Sequence, residues 1–314
     1  MNRPKIFASL ALAMALSLAS HASAADIADF VDYSLLSPRG PVALPGRLYI
    51  PPEAAASPRP LMVFLHGAGA IGTNNTTQVL HTPDYLLDEA KRRGAYLYLP
   101  QAPIGWASLS SIDNVATMID RLVADGSADA RRLYATGYSN GGGGTWNLLS
   151  RHPDTFAAAL PIAGVAPAAG FTPANLLSTP IFAVHARDDA TVSVDRSRIA
   201  IASIITAAGA TPPIYDRRST QNFFVFNPSI PLHQELATMI DPFTTRSYPF
   251  SHPDLDVLYY EGAAGGHSGP VGMYYIPVTY DWMFSHALPV PEPGALTVAA
   301  LYVGALAPLR RKMR

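Results

Sequence analysis

The sequence has no cysteine, little charge and almost no lysine. Asp, Glu, Lys and Arg together make up 14% of 314 residues, and cysteine is absent. Without cysteine there can be no disulfides, no thiol nucleophile and no cysteine-ligated zinc or iron–sulfur site. Lysine occurs only at positions 5, 91 and 312. A Schiff base or a Ser–Lys pair therefore has one candidate away from the chain ends, Lys91. Charge far below the roughly 25% of soluble domains, beside 49% apolar residues, excludes an intrinsically disordered chain.

Both ends read as addresses. Arg3 and Lys5 precede an apolar run from Ile6 to Leu18, and Ala22-Ser23-Ala24 supplies a small-x-small cleavage pattern. Residues 1–24 are expected to be a secretory signal peptide removed by signal peptidase, since the run is short for a membrane anchor. At the other end, Val290-Pro291-Glu292-Pro293 leads into apolar Gly294 to Leu309, then Arg310, Arg311, Lys312 and Arg314. Such a helix would reach roughly 24 Å, slightly short of the ~30 Å hydrocarbon core. Its basic tail is expected to stay cytoplasmic.

Pro-Glu-Pro, apolar run and basic tail, in that order over residues 290–314, resemble the PEP-CTERM sorting signal of exopolysaccharide-producing Gram-negative bacteria. The resemblance implies transient membrane association, cleavage by an exosortase, and a mature form at the cell surface or outside the cell. A plain carboxy-terminal anchor is the alternative. Residues 25–289 remain as one domain holding 16 basic and 22 acidic residues. That acidic balance argues against a nucleic-acid partner.

Within this domain, apolar runs alternate with helical patterns. Leu61–Leu65, Tyr96–Leu99, Arg132–Thr136, Pro180–Val184 and Asp256–Tyr260 are strand candidates, continuous enough to be covered on both faces of a parallel sheet. Ile112, Val115, Ile119 and Leu122 fall at helical spacing; Ile199, Ile201, Ile204 and Ile205 do so less cleanly, and Tyr280 to His286 reads as a last helix. This alternation predicts an α/β three-layer fold. One segment breaks the rhythm. Thr211 to Leu255 has seven Pro, seven Phe or Tyr and no Gly, with one short helix expected around Gln234 to Ile240. So long an excursion is either a lid or a decoration of the sheet edge. On the lid reading, Phe223, Phe224 and Phe226 would wall the substrate cleft.

Gly137-Tyr138-Ser139-Asn140-Gly141 is a G-x-S-x-G pattern between a strand candidate and a helical stretch, Thr145 to Arg151. This is the context of a nucleophile elbow, a tight turn that exposes the serine. His66-Gly67-Ala68-Gly69 closes the Leu61–Leu65 strand. Gly67 to Gly72 also matches G-x-G-x-x-G, but Ala70 to Thr76 reads as loop where a dinucleotide site needs a helix, and Asp88 falls inside an amphipathic Tyr85–Arg93 pattern. The better reading is an oxyanion loop, its backbone N–H groups working with that of the residue after Ser139, Asn140. The acid candidate is Asp189, with Asp188 as rival, just beyond the Pro180–Val184 strand. The base candidate is His267, after the Gly265-Gly266 pair. Their order, Ser…Asp…His, is that of the α/β-hydrolases. His81, His152, His185, His233, His252 and His286 take structural or surface roles. None forms an H-E-x-x-H pair, so neither metal nor cofactor is expected.

Residues from about Arg47 to His286 resemble the secreted esterase/peptidase branch of the α/β-hydrolases, which includes polyhydroxyalkanoate depolymerase-like, feruloyl-esterase-like and prolyl-oligopeptidase-like members. The resemblance rests on Phe64 to Gly69, Leu99 to Pro103 with Trp106, Gly137 to Gly142, Asp189 to Val192, Gly266-His267 and Asp281-Trp282. It implies an α/β-hydrolase fold with nucleophile Ser139, acid Asp189, base His267 and backbone oxyanion donors Ala68 and Asn140. The insertion at 211–255 departs from the family pattern. The expected activity is cleavage of a carboxylic ester, including a polymeric one. Alternatives are a prolyl-oligopeptidase-like serine peptidase and a non-catalytic surface or matrix binding protein.

Overall fold

The computed structural model describes residues 25–36, 42–240 and 245–290. The expected signal peptide and the segment from 291 onward lie outside the described residues. Among the described residues no helix is long and apolar enough to cross a membrane. In chain order the elements are β1 (Val31–Asp32), β2 (Leu35–Leu36), β3 (Val42–Leu44), β4 (Gly46–Tyr49), β5 (Arg59–Leu65), α1 (Thr77–Leu80), α2 (Asp84–Arg93), β6 (Tyr96–Pro100) and α3 (Leu109–Ala124). There follow β7 (Ala128–Tyr138), α4 (Asn140–Arg151), β8 (Ala158–Ile162), β9 (Ile181–Ala186) and α5 (Asp195–Ala207). The last are β10 (Asn222–Phe226), α6 (Pro231–Ile240), β11 (Thr245–Pro249), β12 (Val257–Gly262) and α7 (Pro277–Ser285).

Among the described residues ten strands form one sheet in the order β1-β4-β6-β5-β7-β8-β9-β12-β10-β11, and β2 and β3 pair separately. From β6 through β12 every neighbouring pair is parallel. This is the helix-flanked, mostly parallel sheet of an α/β-hydrolase fold. Side-chain alternation builds both faces. Leu61, Val63 and Leu65 of β5 join one core with α3, α4 and α5, while Met62 and Phe64 join the opposite core with α2, α6 and α7. All five expected strands are present, as β5, β6, β7, β9 and β12, with ends shifted by a few residues. The spacing of Ile112, Val115, Ile119 and Leu122 becomes the buried stripe of α3. In α5, Ile201, Ile204 and Ile205 face inward but Ile199 is exposed, which is why its periodicity reads less cleanly.

The insertion is sheet, not lid. β10 runs antiparallel to β12 and β11 parallel to β10, so two strands lengthen the edge of the main sheet. Phe223 and Phe224 are fully buried and Phe226 nearly so. Phe223 turns into one core and Phe224 and Phe226 into the other. The Phe223 ring lies 4.7 Å from Tyr215, 5.3 Å from Tyr248 and 6.0 Å from Tyr259. Since β10 stands four strands from β7, these rings are roughly 19 Å to one side of the nucleophile strand. The expectation that they wall the cleft is therefore corrected. Their apolar area covers an edge that would otherwise present unpaired backbone.

One half-buried carboxylate pins the insertion and the last helix to the base of β12. Asp256 meets His233 of α6 at 2.7 Å and His286, at the end of α7, at 3.0 Å. Burial alone would raise its carboxyl, but the two imidazole hydrogen bonds outweigh burial and bring it down to about 2. A depressed folded-state value contributes stability that is complete above the ordinary carboxylate range and is lost as pH falls toward 2.

Two outcomes are expected. Phe223→Ala should lower unfolding free energy by about 3–5 kcal/mol in urea titrations, with the ratio of kcat/KM on long to short acyl esters unchanged; a changed ratio would restore the lid. Asp256→Asn should cost about 2 kcal/mol at pH 7 and distinctly less at pH 3, and an equal cost at both would discount the depressed carboxyl.

Candidate active site

β7 delivers Ser139 into a turn with φ 59° and ψ −115°, and α4 starts at the next residue. A non-glycine residue with positive φ is strained, at about 1–3 kcal/mol. The surrounding glycines explain how the turn is held. A Cβ on Gly141 would sit 1.7 Å from the Leu65 carbonyl oxygen, and one on Gly137 would sit 2.3 Å from the Gly141 oxygen. Only residues without Cβ let α4 press against the end of β5. The Ser139 carbonyl accepts from the N–H groups of Gly143 and Val165, and its own N–H donates to Ile162, so the strained residue is held on three sides.

The three residues singled out for catalysis come together. His267 Nε2 lies 2.8 Å from Ser139 Oγ, and His267 Nδ1 lies 2.7 Å from Asp189 Oδ2. The other carboxylate oxygen of Asp189 accepts from the Thr191 and Val192 N–H groups at 2.8 Å each. Burial would push the Asp189 carboxyl up, but the hydrogen bonds from His267, Val192 and Thr191 prevail and hold it below its ordinary value. Asp188, the rival, faces elsewhere. Its carboxylate accepts from Gly266 N–H at 2.7 Å and Gly265 N–H at 3.2 Å, fixing the backbone just before His267.

Two contacts at this site have no clear sequence signal. His185, fully buried, lies 3.2 Å from Asp189 Oδ2. Its Nε2 also faces the Val192 carbonyl, so Nε2 carries the hydrogen and Nδ1 accepts from the Ser197 hydroxyl. Burial lowers the His185 pKa, consistent with a neutral ring that donates to the catalytic carboxylate. Tyr138 donates its hydroxyl to the His267 carbonyl at 3.1 Å, its ring 5.0 Å from the imidazole. The motif admits any residue at that position, so the sequence is silent there.

Ala68 and Asn140 each open a helical element, the 3₁₀ turn Ala68–Ala70 and α4. First-turn N–H groups have no partner within their own helix, which suits both to an oxyanion. The two meet at the nucleophile, since a Cβ on Gly67 would lie 3.8 Å from Ser139 Cβ. Beneath the loop, Ala102 N–H donates to His66 Nε2, so Nδ1 holds the hydrogen and donates to Gly67 O. Burial brings His66 down to about 4, and the ring stays neutral at working pH. The rest of the loop hangs on Asn75, whose amide reaches Asp32, Ser34, Gly46 and Gln78. Among the described residues no His, Asp and Glu cluster is arranged to hold a metal ion.

Residues 109–177, which include Ser139, match the model of the Prolyl oligopeptidase family. A Nocardia uniformis subsp. tsuyamanensis protein named as an esterase, NocK, is 28% identical over 184 residues, or 53% of this chain and 51% of that protein. The chain thus spans about half the length of that curated relative. Among solved structures, a thermostable esterase is 23% identical with a TM-score of 0.58, over 83% of this chain and 64% of its own. An acetyl xylan esterase from Aspergillus awamori is 16% identical with a TM-score of 0.51, over 78% of this chain and 98% of its own. The structural likenesses show the α/β-hydrolase fold. With the family match and the esterase relative, they support a serine hydrolase of the esterase–peptidase type.

Asp189→Asn should reduce turnover by about ten-thousand-fold, because it disturbs the hydrogen bond that fixes the imidazole tautomer. Asp188→Asn, which only loosens the loop, should cost about tenfold. Steady-state kinetics on one chromogenic ester distinguishes them, and comparable losses would mean that Asp188 shares the role of the acid.

Proposed function

We propose that this chain is an exported serine hydrolase that cleaves carboxylic esters through an acyl-enzyme on Ser139. The observation that carries the reading is the continuous Ser139–His267–Asp189 chain at 2.8 and 2.7 Å. Ser139 Oγ attacks the acyl carbon as its proton passes to His267 Nε2. The tetrahedral oxyanion turns toward the N–H groups of Ala68 and Asn140. His267 then protonates the leaving alkoxide, and a water molecule repeats the sequence to free the acid. Asp189 keeps the imidazole in the required tautomer and stabilises its charged form. No step needs a cofactor.

Ester rather than peptide chemistry is favoured by the esterase names of the relatives. A prolyl-oligopeptidase-like peptidase is the second reading, favoured by the family match over residues 109–177. A binding-only role is disfavoured, because a strained Ser139 costs stability that a mere scaffold has no use for. Export is proposed from the two terminal patterns, with signal peptidase and exosortase as processing partners and the cell surface or medium as destination.

Ser139→Ala should lower ester turnover by about a millionfold and abolish labelling by a fluorophosphonate, with the thermal midpoint unchanged. Full activity in a clean Ser139→Ala preparation would remove Ser139 from the mechanism.

A further inference from the structure

Charge is missing from the loops around Ser139. The segments that leave the carboxyl ends of β5, β6, β7, β8 and β12 are residues 66–83, 101–108, 139–150, 163–180 and 263–276. None contains Asp, Glu, Lys or Arg. The loop after β9 is the exception, and its three charges are already occupied. Arg187 is bound to Glu261 and to the carbonyls of Ser219 and Gln221, Asp188 to two glycine N–H groups, and Asp189 to His267.

The same loops expose apolar side chains. Of the ten large apolar residues exposed among the described residues, four lie here: Ile71 at 40%, Leu80 at 66%, Ile104 at 76% and Tyr275 at 46%. Their backbones converge on the nucleophile. A Cβ on Gly105, the neighbour of Ile104, would meet Ile71 Cδ1 at 3.1 Å and Asn140 Oδ1 at 3.2 Å. Leu80 precedes His81, whose ring would touch a Cβ on Gly69 at 2.9 Å. Tyr275 closes the 3₁₀ turn that follows His267.

We propose that this rim selects against esters that carry a carboxylate on the acyl or the alcohol side. The inference rests on the serine-esterase reading. A substrate carboxylate brought to the rim loses water and finds no free cation in these loops, only the carboxylates of Asp188 and Asp189, whereas an apolar group loses nothing and gains burial. The rim also disfavours carboxypeptidase chemistry, which requires a cation to hold the terminal carboxylate. Hydrolysis breaks the ester C–O bond, bonds the acyl carbon to the oxygen of water and leaves a carboxylate. That product carries the charge the rim cannot hold, beside Asp188 and Asp189, so its release is favoured by the same feature that admits the substrate.

A matched pair tests this at pH 8, where free imidazole is neutral. The pair is phenyl hydrogen adipate against phenyl hexanoate. Each enzymatic rate is divided by that ester's own hydroxide rate, and active sites are titrated with a neutral fluorophosphonate. The neutral ester should have the higher kcat/KM by at least about tenfold. Ile104→Lys should narrow the adipate gap several-fold. Parity within the pair, in enzyme that titrates fully, overturns the inference; an unchanged adipate gap in Ile104→Lys removes Ile104 from the rim. Failure of the wild-type protein to titrate overturns the serine-hydrolase reading instead.

Discussion

Everything at this site depends on one contact that leaves no room for a side chain, the approach of Gly141 to the Leu65 carbonyl. A methyl group there would lie 1.7 Å from the oxygen. Because α4 can press that close to the end of β5, the first N–H of the helix and the loop leaving β5 share one small space. The same approach forces the chain to reverse at Ser139, which is why a residue with a Cβ adopts φ 59°. Neither of the N–H groups proposed as oxyanion donors is set in place by a dedicated side chain. Both follow from where two helical elements begin. Gly142 and Gly144 extend the tight packing along α4, against the Ile162 carbonyl and Trp106 respectively.

The acid and base are placed by a second device, cross-stitching of the tips of β9 and β12. Three consecutive residues do this work at three depths. Arg187 reaches Glu261 and the insertion, Asp188 holds the glycines before His267, and Asp189 takes the imidazole itself. The two glycines carry φ 131° and 57°, conformations that would be costly for other residues. An acceptor fixed by the neighbouring strand removes the freedom that such a loop would otherwise have. The two adjacent aspartates are thus complementary: one positions the backbone and the other the ring.

Much of this was legible in the sequence, and the reasons for what was not are specific. Strands β5, β6, β7, β9 and β12 are continuous apolar runs, so burial on both faces announces them. β8, Ala158–Ile162, opens on two alanines, contains a proline and carries no β-branched signal until its last residue. The segment 211–255 was legible as an anomaly but not as sheet. β10 is only Asn222–Phe226, and its partner β11 stands beyond a helix. A short apolar run looks the same whether it lines a cleft or joins a sheet; only its pairing with β12 decides. At the site, Ser139 and the loop after β5 follow from local motifs. The choice between Asp188 and Asp189 needs three dimensions, because adjacent residues differ only in where their side chains point. His185 was hidden for the same reason. Its partners Asp189, Val192 and Ser197 are near in sequence, yet no spacing rule says that a strand-end histidine will turn inward toward them.

A rim without a free cation gives Asp189 more influence than one carboxylate usually has. In a cleft lined with many charges, the field at His267 would be a sum over all of them. Here the cation on the same loop is Arg187, two residues from Asp189 and able in principle to draw that carboxylate away from the imidazole. The fully buried Glu261 prevents this. It accepts from Arg187 Nε at 2.8 Å, from Arg198 Nε at 2.8 Å and Nη2 at 2.7 Å, and from the Tyr259 hydroxyl at 2.8 Å. A buried ion pair of this kind contributes little net stability against an apolar replacement. Its value is in geometry, because it fixes Arg187 on the side of the insertion. Asp189 is then satisfied by fixed N–H dipoles from Thr191, Val192, neutral His185 and His267, and not by a competing cation. Dipoles of that kind lower the carboxyl pKa without neutralising its charge. Asp189 therefore remains an anion at the one nitrogen where an imidazolium must be stabilised.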